Sequence, residues 1–423
     1  MTSFLIPVLL ATLAAPNVVF ISVDTLRADH LGVYGFAHNT SPNIDQLANQ
    51  SLLFEDAICE QPQTGPSLMA MHSSRLPRVT GAIRNGVRLP PTTPTVAMVF
   101  RDGGYDTAAI VSNWNLKVNL SGLDRGFAHY DADFGKRWFG RERHEMTADV
   151  VTNRALTWLK ERDSEKPFFF WVHYMDPHAP YKKKRGFEAQ LHGDTQVKKQ
   201  AIDPPEERYQ TEVAFVDQQI KRLLAALPEE DTYIVFTADH GESLGNHNYW
   251  GHTRFIYQNT MHIPLFIHGP GIEAGRSTAP VRGIDVGPTL LGLAGLPPLS
   301  TMTGMNLLDE QPAANTPRIF ETYGGDVPGG KNVRAALATR APRRQGIIQE
   351  GWKFIRNEEG SRELYHIAAD PAEENNVIEE HPERAADLES LLETWHEQTP
   401  RNQATAEGLS EEDLRMLEAN GYL

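Results

Sequence analysis

The sequence predicts an α/β protein with a mostly parallel sheet sandwiched between helices and a small α+β unit at its C-terminus. Short apolar, β-branched runs, typical of buried parallel strands, alternate with longer segments that carry apolar residues at helical spacing. The alternation extends over residues 16–330, as expected for an α/β domain. Beyond residue 330, short strand-like runs and one last amphipathic segment replace it.

The predicted strands of the large domain are short and strongly apolar. The clearest is the first, NVVFISV, because apolar residues at successive positions indicate a strand that is buried on both faces. In chain order, the predicted strands lie at Asn17–Val23, Asp106–Val111, Pro167–His173, Tyr233–Phe236 and Ile263–Ile267.

The predicted helices lie between these strands. Ser41 and Pro42 open the first, since serine is favoured at the helix cap and proline in the first turn. Its end is expected near Asn49. The others are predicted at Thr93–Arg101, Met146–Glu161 and Thr211–Leu227.

The C-terminal unit is predicted at residues 331–423, after a catalytic domain at residues 16–330. Its strands are expected at Gly346–Ile348, Trp352–Ile355 and Glu363–His366, and its helix at about Glu383–Gln398.

Residues 1–15 are predicted to be a signal peptide. The run Phe4–Ala15 is apolar and ends in small residues, as before a cleavage site, but it is too short for a transmembrane helix. The residues before it include no Lys or Arg, and a buried lead-in to the first strand is the alternative. We therefore expect a periplasmic or secreted protein with no stable membrane span.

The composition excludes several classes of function. The 423 residues carry a net charge of −15, which disfavours general nucleic-acid binding. An anionic substrate would need local positive charge, which a metal ion could supply. The one cysteine, Cys59, excludes an intrachain disulfide and a thiolate metal cluster.

Acidic residues and histidines follow three predicted strands. Asp24 follows the first strand, Asp176 and His178 follow the strand PFFFWVH, and Asp239 and His240 follow the strand at Tyr233. Ligands of parallel α/β sheets bind outside the carboxyl ends of the strands. Carboxylates and imidazoles that converge there are suitable ligands for a divalent cation.

These clusters belong to a longer series of motifs that resembles the sulfatase family of the alkaline-phosphatase-like superfamily. The resemblance covers nearly the whole chain after residue 15. Its seven blocks, in order, are Pro16–Gly35 (PNVVFISVDTLRADHLGVYG), Ser41–Ala57, Thr64–Pro77 (TGPSLMAMHSSRLP), His173–Tyr181 (HYMDPHAPY), Thr237–His247 (TADHGESLGNH), Gly283–Pro297 and Glu363–Val377.

The resemblance implies an alkaline-phosphatase-like fold and a metal-dependent ester hydrolase. It implies Asp24, Asp239 and His240 as ligands of one divalent ion, with Thr64 as nucleophile and further ligand. His178 corresponds to a family histidine that contacts the transferred group or the leaving group. His252, in WGHTRF, lies where many members have a substrate-contacting Lys or His, and for it a purely structural role is equally open.

Thr64 departs from the family pattern, because activated sulfatases carry at this position a Cys or Ser that is converted to formylglycine. Cys59 is five residues too early to replace it, and oxidation of a threonine would give a ketone, so no formylglycine is expected. Formylglycine expels sulfate through its second hydroxyl, which threonine lacks. A phosphoryl group on an alcohol can instead be released by in-line displacement. The chemistry therefore favours a phosphate or phosphonate ester over a sulfate ester.

Other departures keep alternatives open. Leu68, Asn113 and Asn115 stand where the family has an Arg, a Lys and a His, and Thr25 replaces a second aspartate. A sulfuric ester hydrolase and an inactive sulfatase-like protein that binds an anion or glycan remain the alternatives. A two-metal phosphatase is disfavoured, because Asp176 and His178 have the wrong spacing.

The expected partner is a small-molecule or glycan-linked anionic ester, and no nucleic acid. Imidazole ligation favours Zn²⁺ or Mn²⁺, with Ca²⁺ or Mg²⁺ possible.

Overall fold

The computed structural model describes residues 15–135, 145–192, 204–324, 343–402 and 409–419. The predicted signal peptide lies outside the described residues except for Ala15, and so does the predicted domain boundary at 330/331. No helix in the described ranges is long and apolar enough to cross a membrane.

Fourteen strands are present in the described part of the chain. They are β1 (Asn17–Val23), β2 (Leu52–Ile58), β3 (Asp106–Val111), β4 (His129–Asp131), β5 (Phe168–Tyr174), β6 (Thr232–Ala238), β7 (Ser243–Leu244), β8 (Trp250–Gly251), β9 (Leu265–His268), β10 (Gly275–Arg282), β11 (Arg318–Thr322), β12 (Arg344–Gln349), β13 (Trp352–Asn357) and β14 (Arg362–His366).

Twelve α-helices accompany them in the same ranges. They are α1 (Pro42–Ala48), α2 (Thr64–Ser73), α3 (Pro77–Thr80), α4 (Val96–Asp102), α5 (Val118–Ser121), α6 (Ala148–Glu161), α7 (Glu188–His192), α8 (Pro205–Leu224), α9 (Gln258–Met261), α10 (Val286–Leu293), α11 (Pro382–Gln398) and α12 (Glu411–Ala419).

The central sheet has eight strands in the order β10-β2-β9-β6-β1-β5-β3-β4. Strand β9 runs antiparallel to both of its neighbours, and the other pairings are parallel. Strands β1 and β5 lie at the centre, and every residue of β5 is buried. The predicted α/β class with a mostly parallel sheet is confirmed.

The strands that the sequence pattern did not predict lie mainly toward the edges of the sheet. Strand β10 (GRSTAPVR) contains a proline and several exposed residues, which an edge strand tolerates. Strand β4 has only three residues. Strand β2, one place in from the edge, carries Glu55 and Asp56 in its middle, which interrupts its apolar run. All three lack the continuous apolar run of a central strand.

The first helix begins where the sequence predicts, but Ser41 does not cap it with its side chain. The Ser41 hydroxyl donates instead to the Asp45 carboxylate at 3.0 Å. The backbone N–H groups of Asn43 and Ile44 donate to Asp217 Oδ1 at 2.9 and 2.7 Å. Because Asp217 belongs to α8, this cap also fixes the position of α1 against α8.

The C-terminal unit is an antiparallel sheet in the order β11-β12-β13-β14, covered by α11. The apolar side chains between one face of this sheet and α11 form a cluster separate from the main core, built from Ile319, Ile347, Phe354, Leu364, Ala385, Leu388 and Leu392. Phe320, Ile348, Ile355 and Tyr365, from the same strands, belong to the main core. The predicted α+β character is confirmed. Strand β11 lies before residue 331, so the limits of the two domains stay a prediction.

A buried ion pair connects the C-terminal unit to the large domain. Lys353 Nζ of β13 lies 2.7 Å from Glu373 Oε1, and both side chains are at most 1% exposed. The same carboxylate accepts the backbone N–H of Gln258, at the start of α9. Burial lowers the pKa of Lys353, and Glu373 partly restores it.

We predict that Glu373→Ala lowers the free energy of unfolding by about 3–5 kcal/mol, because it leaves a buried ammonium without its partner. Urea titrations followed by fluorescence measure the change. The control is Glu389→Ala, which breaks a partly exposed pair with Arg362 and is expected to cost less than about 1 kcal/mol. Equal losses in both variants would contradict a stabilising role of the buried pair.

Candidate active site

Two aspartates lie next to each other beyond the ends of β1 and β6. These strands are parallel neighbours, and their register pairs Val23 with Ala238. The next residues along the two strands are Asp24 and Asp239, and His240 follows directly. One ligand atom from each of Asp24, Asp239 and His240 lies within 4.8 Å of the others, so these three residues form one ligand group.

One atom of each residue in the ligand group is left for a further partner. Asp24 Oδ1, Asp239 Oδ2 and His240 Nε2 are buried and make no hydrogen bond within the described part of the chain. Asp239 Oδ1 accepts the N–H groups of Thr25 and His240 at 3.1 and 2.8 Å. His240 Nδ1 lies 2.9 Å from the Gly241 carbonyl, which can only accept, so Nε2 keeps its lone pair toward the group. Two carboxylate oxygens and one imidazole nitrogen fit a divalent cation.

The electrostatics of the ligand group also favour a cation. Burial raises the pKa of Asp239 well above its usual value, and the neighbouring Asp24 carboxylate adds to the rise. Burial acts the same way on Asp24, but His178, His173 and His240 outweigh it and hold the Asp24 pKa well below its usual range. Burial lowers the pKa of His240 to about 3. Two carboxylates this close can both be ionised when a positive ion lies between them.

Thr64 faces the ligand group from the first position of α2. Its Oγ1 donates to Asp24 Oδ2 at 3.4 Å. All ten residues of α2 are buried, so the segment has no polar face and no amphipathic pattern that would predict a helix. A Cβ at Gly65 would lie 2.8 Å from Asn85 Oδ1, which accepts the Gly65 N–H at 2.8 Å, so a larger residue would displace the Asn85 side chain. Because Thr64 is the first residue of α2, the positive end of the helix dipole lies near its hydroxyl.

Asn113 contacts both Thr64 and Asp24, which the sequence did not reveal. Its Nδ2 donates to Asp24 Oδ2 at 2.5 Å and to Thr64 Oγ1 at 3.3 Å. Asn115 in turn donates to Asn113 Oδ1 through its backbone N–H at 2.9 Å. In the sequence, Asn113 is visible only as an amide where the family pattern has a lysine. Its contacts are with residues 49 and 89 positions away in the chain, which no local pattern predicts.

The two predicted catalytic histidines lie beside the ligand group. The ring of His252 lies 4.5 Å from the ring of His240 and 5.0 Å from the ring of His178. His252 Nδ1 is 3.2 Å from Glu242 Oε1. Burial lowers the pKa of His252, but the carboxylates of Glu242 and Asp24 outweigh it, so the pKa is raised overall. The structure thus brings His252 to the site.

Asp176 has a different role from the other aspartates at strand ends. Its Oδ2 accepts the N–H of Ala148 at the start of α6 at 2.8 Å, and its Oδ1 lies 2.5 Å from Lys184 Nζ. Asp176 is therefore a helix cap with a lysine partner. Among the described residues, the ligand group is the one set of three ligating side chains that could hold a metal, which gives a second ion no support.

The fold and the ligand group define the class of protein as one with an alkaline-phosphatase-like fold and a candidate metal site at the carboxyl ends of its central strands. The family model described as sulfatase matches residues 16–296, and a second one, for the C-terminal part of N-sulphoglucosamine sulphohydrolase, matches residues 245–399. Because the first match spans more than half of the chain, the protein belongs to the sulfatase family.

Curated relatives are similar over most of the chain. An uncharacterized sulfatase, YidJ, of Escherichia coli is 26% identical, covering 89% of this chain and 85% of its own length. An arylsulfatase of Clostridium perfringens is 25% identical, covering 89% of this chain and 93% of its own length.

Solved structures share the fold. Ps i-CgsB in complex with a neocarrahexaose has a TM-score of 0.73 at 21% identity, covering 95% of this chain and 97% of its own. The phosphonate monoester hydrolase of Agrobacterium radiobacter has a TM-score of 0.70 at 20% identity, covering 91% and 96%. At these identities the likeness establishes the fold alone, and it confirms the predicted alkaline-phosphatase-like architecture.

We predict that the purified protein holds a divalent metal ion and that Asp239→Asn loses it, because the substitution removes one of two anionic ligands. A free ion at about 100 times its Kd stabilises the folded state by about 3 kcal/mol, so a chelator should lower the melting temperature of the wild type but not of the variant. Elemental analysis and thermal melts measure both effects.

The control for this experiment is Asp176→Asn, which removes a carboxylate at another strand end. It is expected to keep the metal content of the wild type. Equal metal content in Asp239→Asn and the wild type would exclude Asp239 as a ligand.

Proposed function

We propose that the protein is a metal-dependent ester hydrolase with Thr64 as its nucleophile, and that it prefers phosphate or phosphonate esters to sulfate esters. The observation that carries this proposal is the position of the Thr64 hydroxyl, buried and 3.4 Å from Asp24 Oδ2. A threonine hydroxyl is a weak nucleophile unless a metal ion or a base activates it. Its location beside the ligand group supports activation by an ion there.

In this proposal, Asp24, Asp239, His240 and Thr64 hold one divalent cation, Zn²⁺ or Mn²⁺ in preference to Ca²⁺ or Mg²⁺. The ion would lower the pKa of the hydroxyl and neutralise charge on the transferred group. Asn113 orients the Thr64 hydroxyl through its hydrogen bond to Oγ1. The N-terminus of α2 adds positive potential where negative charge develops.

The bond changes follow from these positions. The Thr64 hydroxyl releases its proton to solvent as Oγ1 forms a bond to phosphorus, while the bond from phosphorus to the leaving oxygen breaks. A proton from His252 or His178 neutralises that oxygen. Water then attacks phosphorus and returns one proton to this histidine, and the departing Thr64 oxygen takes up a proton from solvent to regenerate the free hydroxyl. Because threonine lacks the second hydroxyl of formylglycine, this route suits phosphorus better than sulfur, and we propose that no formylglycine is formed.

A sulfuric ester hydrolase is the first alternative, supported by the sulfatase names of the relatives. A second alternative is an inactive protein that binds an anion or a glycan. It is favoured by Leu68, which is fully buried, and by Asn113 and Asn115, which bond to each other where the family pattern has cationic side chains.

We further propose that the chain is exported and acts outside the cytoplasm on a small-molecule or glycan-linked anionic ester. The basis is the apolar run before the first strand. N-terminal sequencing of the mature protein tests it, with cleavage expected after Ala14 or Ala15.

We predict that the wild type hydrolyses aryl phosphates and phosphonates with a higher kcat/KM than aryl sulfates. We expect Thr64→Val to lower this kcat/KM by at least about 1,000-fold, because it removes the attacking oxygen but keeps the shape of the side chain. Steady-state assays on matched aryl esters measure both. Ser73→Ala is the control, because Ser73 ends the same buried helix and only donates to the Met69 carbonyl. Faster hydrolysis of the sulfate ester would favour a sulfuric ester hydrolase. If no ester is hydrolysed, the result would favour the inactive binding protein.

We predict that His252→Gln slows the hydrolysis of alkyl esters by about 100-fold or more but slows nitrophenyl esters little, because a good leaving group needs no proton. The dependence of rate on leaving-group pKa measures this difference. His262→Gln is the control, since His262 bonds to the Glu55 carbonyl on another strand. An equal loss for all leaving groups in His252→Gln would contradict the proton-donor role.

A further inference from the structure

Polar residues lie on one face of the two central strands, behind the ligand group. In β1 and β5, alternate residues share a face, and the parallel register pairs Phe20 with Trp171 and Ser22 with His173. Asp24 extends the same face one step further, with its backbone N–H bonded to the Tyr174 carbonyl at 2.8 Å. The register therefore aligns Trp171, Ser22, His173 and Asp24.

Hydrogen bonds connect Trp171, Ser22 and His173, and the ring of His173 in turn faces Asp24. Trp171 Nε1 donates to Ser22 Oγ at 2.9 Å, and Ser22 Oγ lies 2.9 Å from His173 Nδ1. His173 Nε2 makes no hydrogen bond within the described ranges, and Asp24 Oδ2 lies 3.5 Å from it. All four side chains are fully buried.

The direction of the hydrogen bonds follows from the chemistry of the groups. The Trp171 indole can only donate, so Ser22 Oγ accepts from it. We assign the Ser22 hydroxyl hydrogen to His173 Nδ1, because the opposite direction would turn the Nε2 lone pair of a neutral imidazole toward the Asp24 carboxylate. The neutral imidazole then carries its hydrogen on Nε2. This N–H faces the Asp24 carboxylate, which can only accept. His173 is thus held in one tautomer and one orientation.

The contacts of His173 and its neighbours converge on one oxygen of Asp24. Asn113, Thr64 and His173 all approach Oδ2, while Oδ1 is left on the side of His240 Nε2, 3.9 Å away. We propose that Trp171, Ser22 and His173 form a positioning relay that fixes the Asp24 carboxylate with Oδ1 turned toward the cation site. The proposal rests on the ligand role of Asp24 in the proposed function.

The composition of the strands supports a role beyond packing. Ser22 is the one polar residue within residues 18–23, and His173 lies in a strand that is otherwise aromatic or apolar. Buried polar side chains at such positions cost free energy unless their hydrogen bonds are made. Ser22 Oγ and His173 Nδ1 satisfy each other, and the remaining ring nitrogen of His173, Nε2, is directed at Asp24.

The experiment measures the Kd of Zn²⁺ alone and of Mn²⁺ alone by competition calorimetry. Ser22→Ala interrupts the relay, and we expect about 10- to 100-fold weaker binding, the usual effect of removing a group that orients a ligand. Ser112→Ala is the matched control. It removes a buried hydroxyl that donates to the backbone carbonyl of the same His173 at 2.6 Å, and it should leave the Kd unchanged.

A second pair of variants separates the donor from the bulk of the ring. The amide nitrogen of Gln can take the place of Nε2, whereas that of Asn reaches only the Nδ1 position. His173→Gln keeps a donor to Asp24 but loses the link to Ser22, whereas His173→Asn lacks the donor to Asp24. We therefore expect His173→Gln to bind the metal more tightly than His173→Asn. Equal losses in both histidine variants would overturn the proposal.

Nitrogen-15 NMR of the metal-free wild type provides a readout that needs no variant to fold. We expect the His173 imidazole to be protonated on Nε2, and protonation on Nδ1 alone would overturn the proposal. If the wild type binds the metal and Ser22→Ala binds it with the same Kd, the relay is overturned but the proposed function is not. A wild type that binds neither ion would remove the ligand group and the relay together.

Discussion

The parallel register of β1, β5 and β6 is the constraint on which the rest of the site depends. It aligns Asp24 with Asp239 beyond the ends of β1 and β6, and it pairs Ser22 with His173 on the other side of β1. A shift of one residue would turn Asp24 to the opposite face of the sheet and separate it from its neighbours. Every residue of β5 is buried, so such a shift would require the tightly packed side chains on both faces of the strand to repack.

The ligand group lies in a protein with a strongly negative net charge, which disfavours the binding of an anionic substrate. With a net charge of −15, the protein repels anions at long range, and two of its carboxylates, those of Asp24 and Asp239, lie in the ligand group itself. The ligand atoms that make no hydrogen bond in the described part of the chain, Asp24 Oδ1, Asp239 Oδ2 and His240 Nε2, lie close together and carry lone pairs. A divalent cation would reverse the local field, and it would have to provide positive charge that Leu68, Asn113 and Asn115 do not.

The replacement of cationic residues by amides changes what the site can do around Thr64. Asn113 donates to Asp24 Oδ2 and to Thr64 Oγ1 without adding the positive charge that a lysine at this position would carry. The hydroxyl is thus held at the positive end of a buried helix and beside a carboxylate. This environment differs from the pattern that the family resemblance implies, and it is consistent with a nucleophile that is not formylglycine.

The sequence by itself determined the α/β class, the central strands and the three residues of the ligand group. Apolar periodicity is a local property, and the motifs VDTLRADH and TADHGESLGNH are local as well. Only the tertiary structure decided that Asp176 caps a helix, that Asn113 contacts Thr64, that His252 lies against His240 and that Ser22 bonds to His173. The physical reason is that Asn113 and Ser22 contact residues 49 and 151 positions away, and such contacts depend on strand order and register rather than on local sequence.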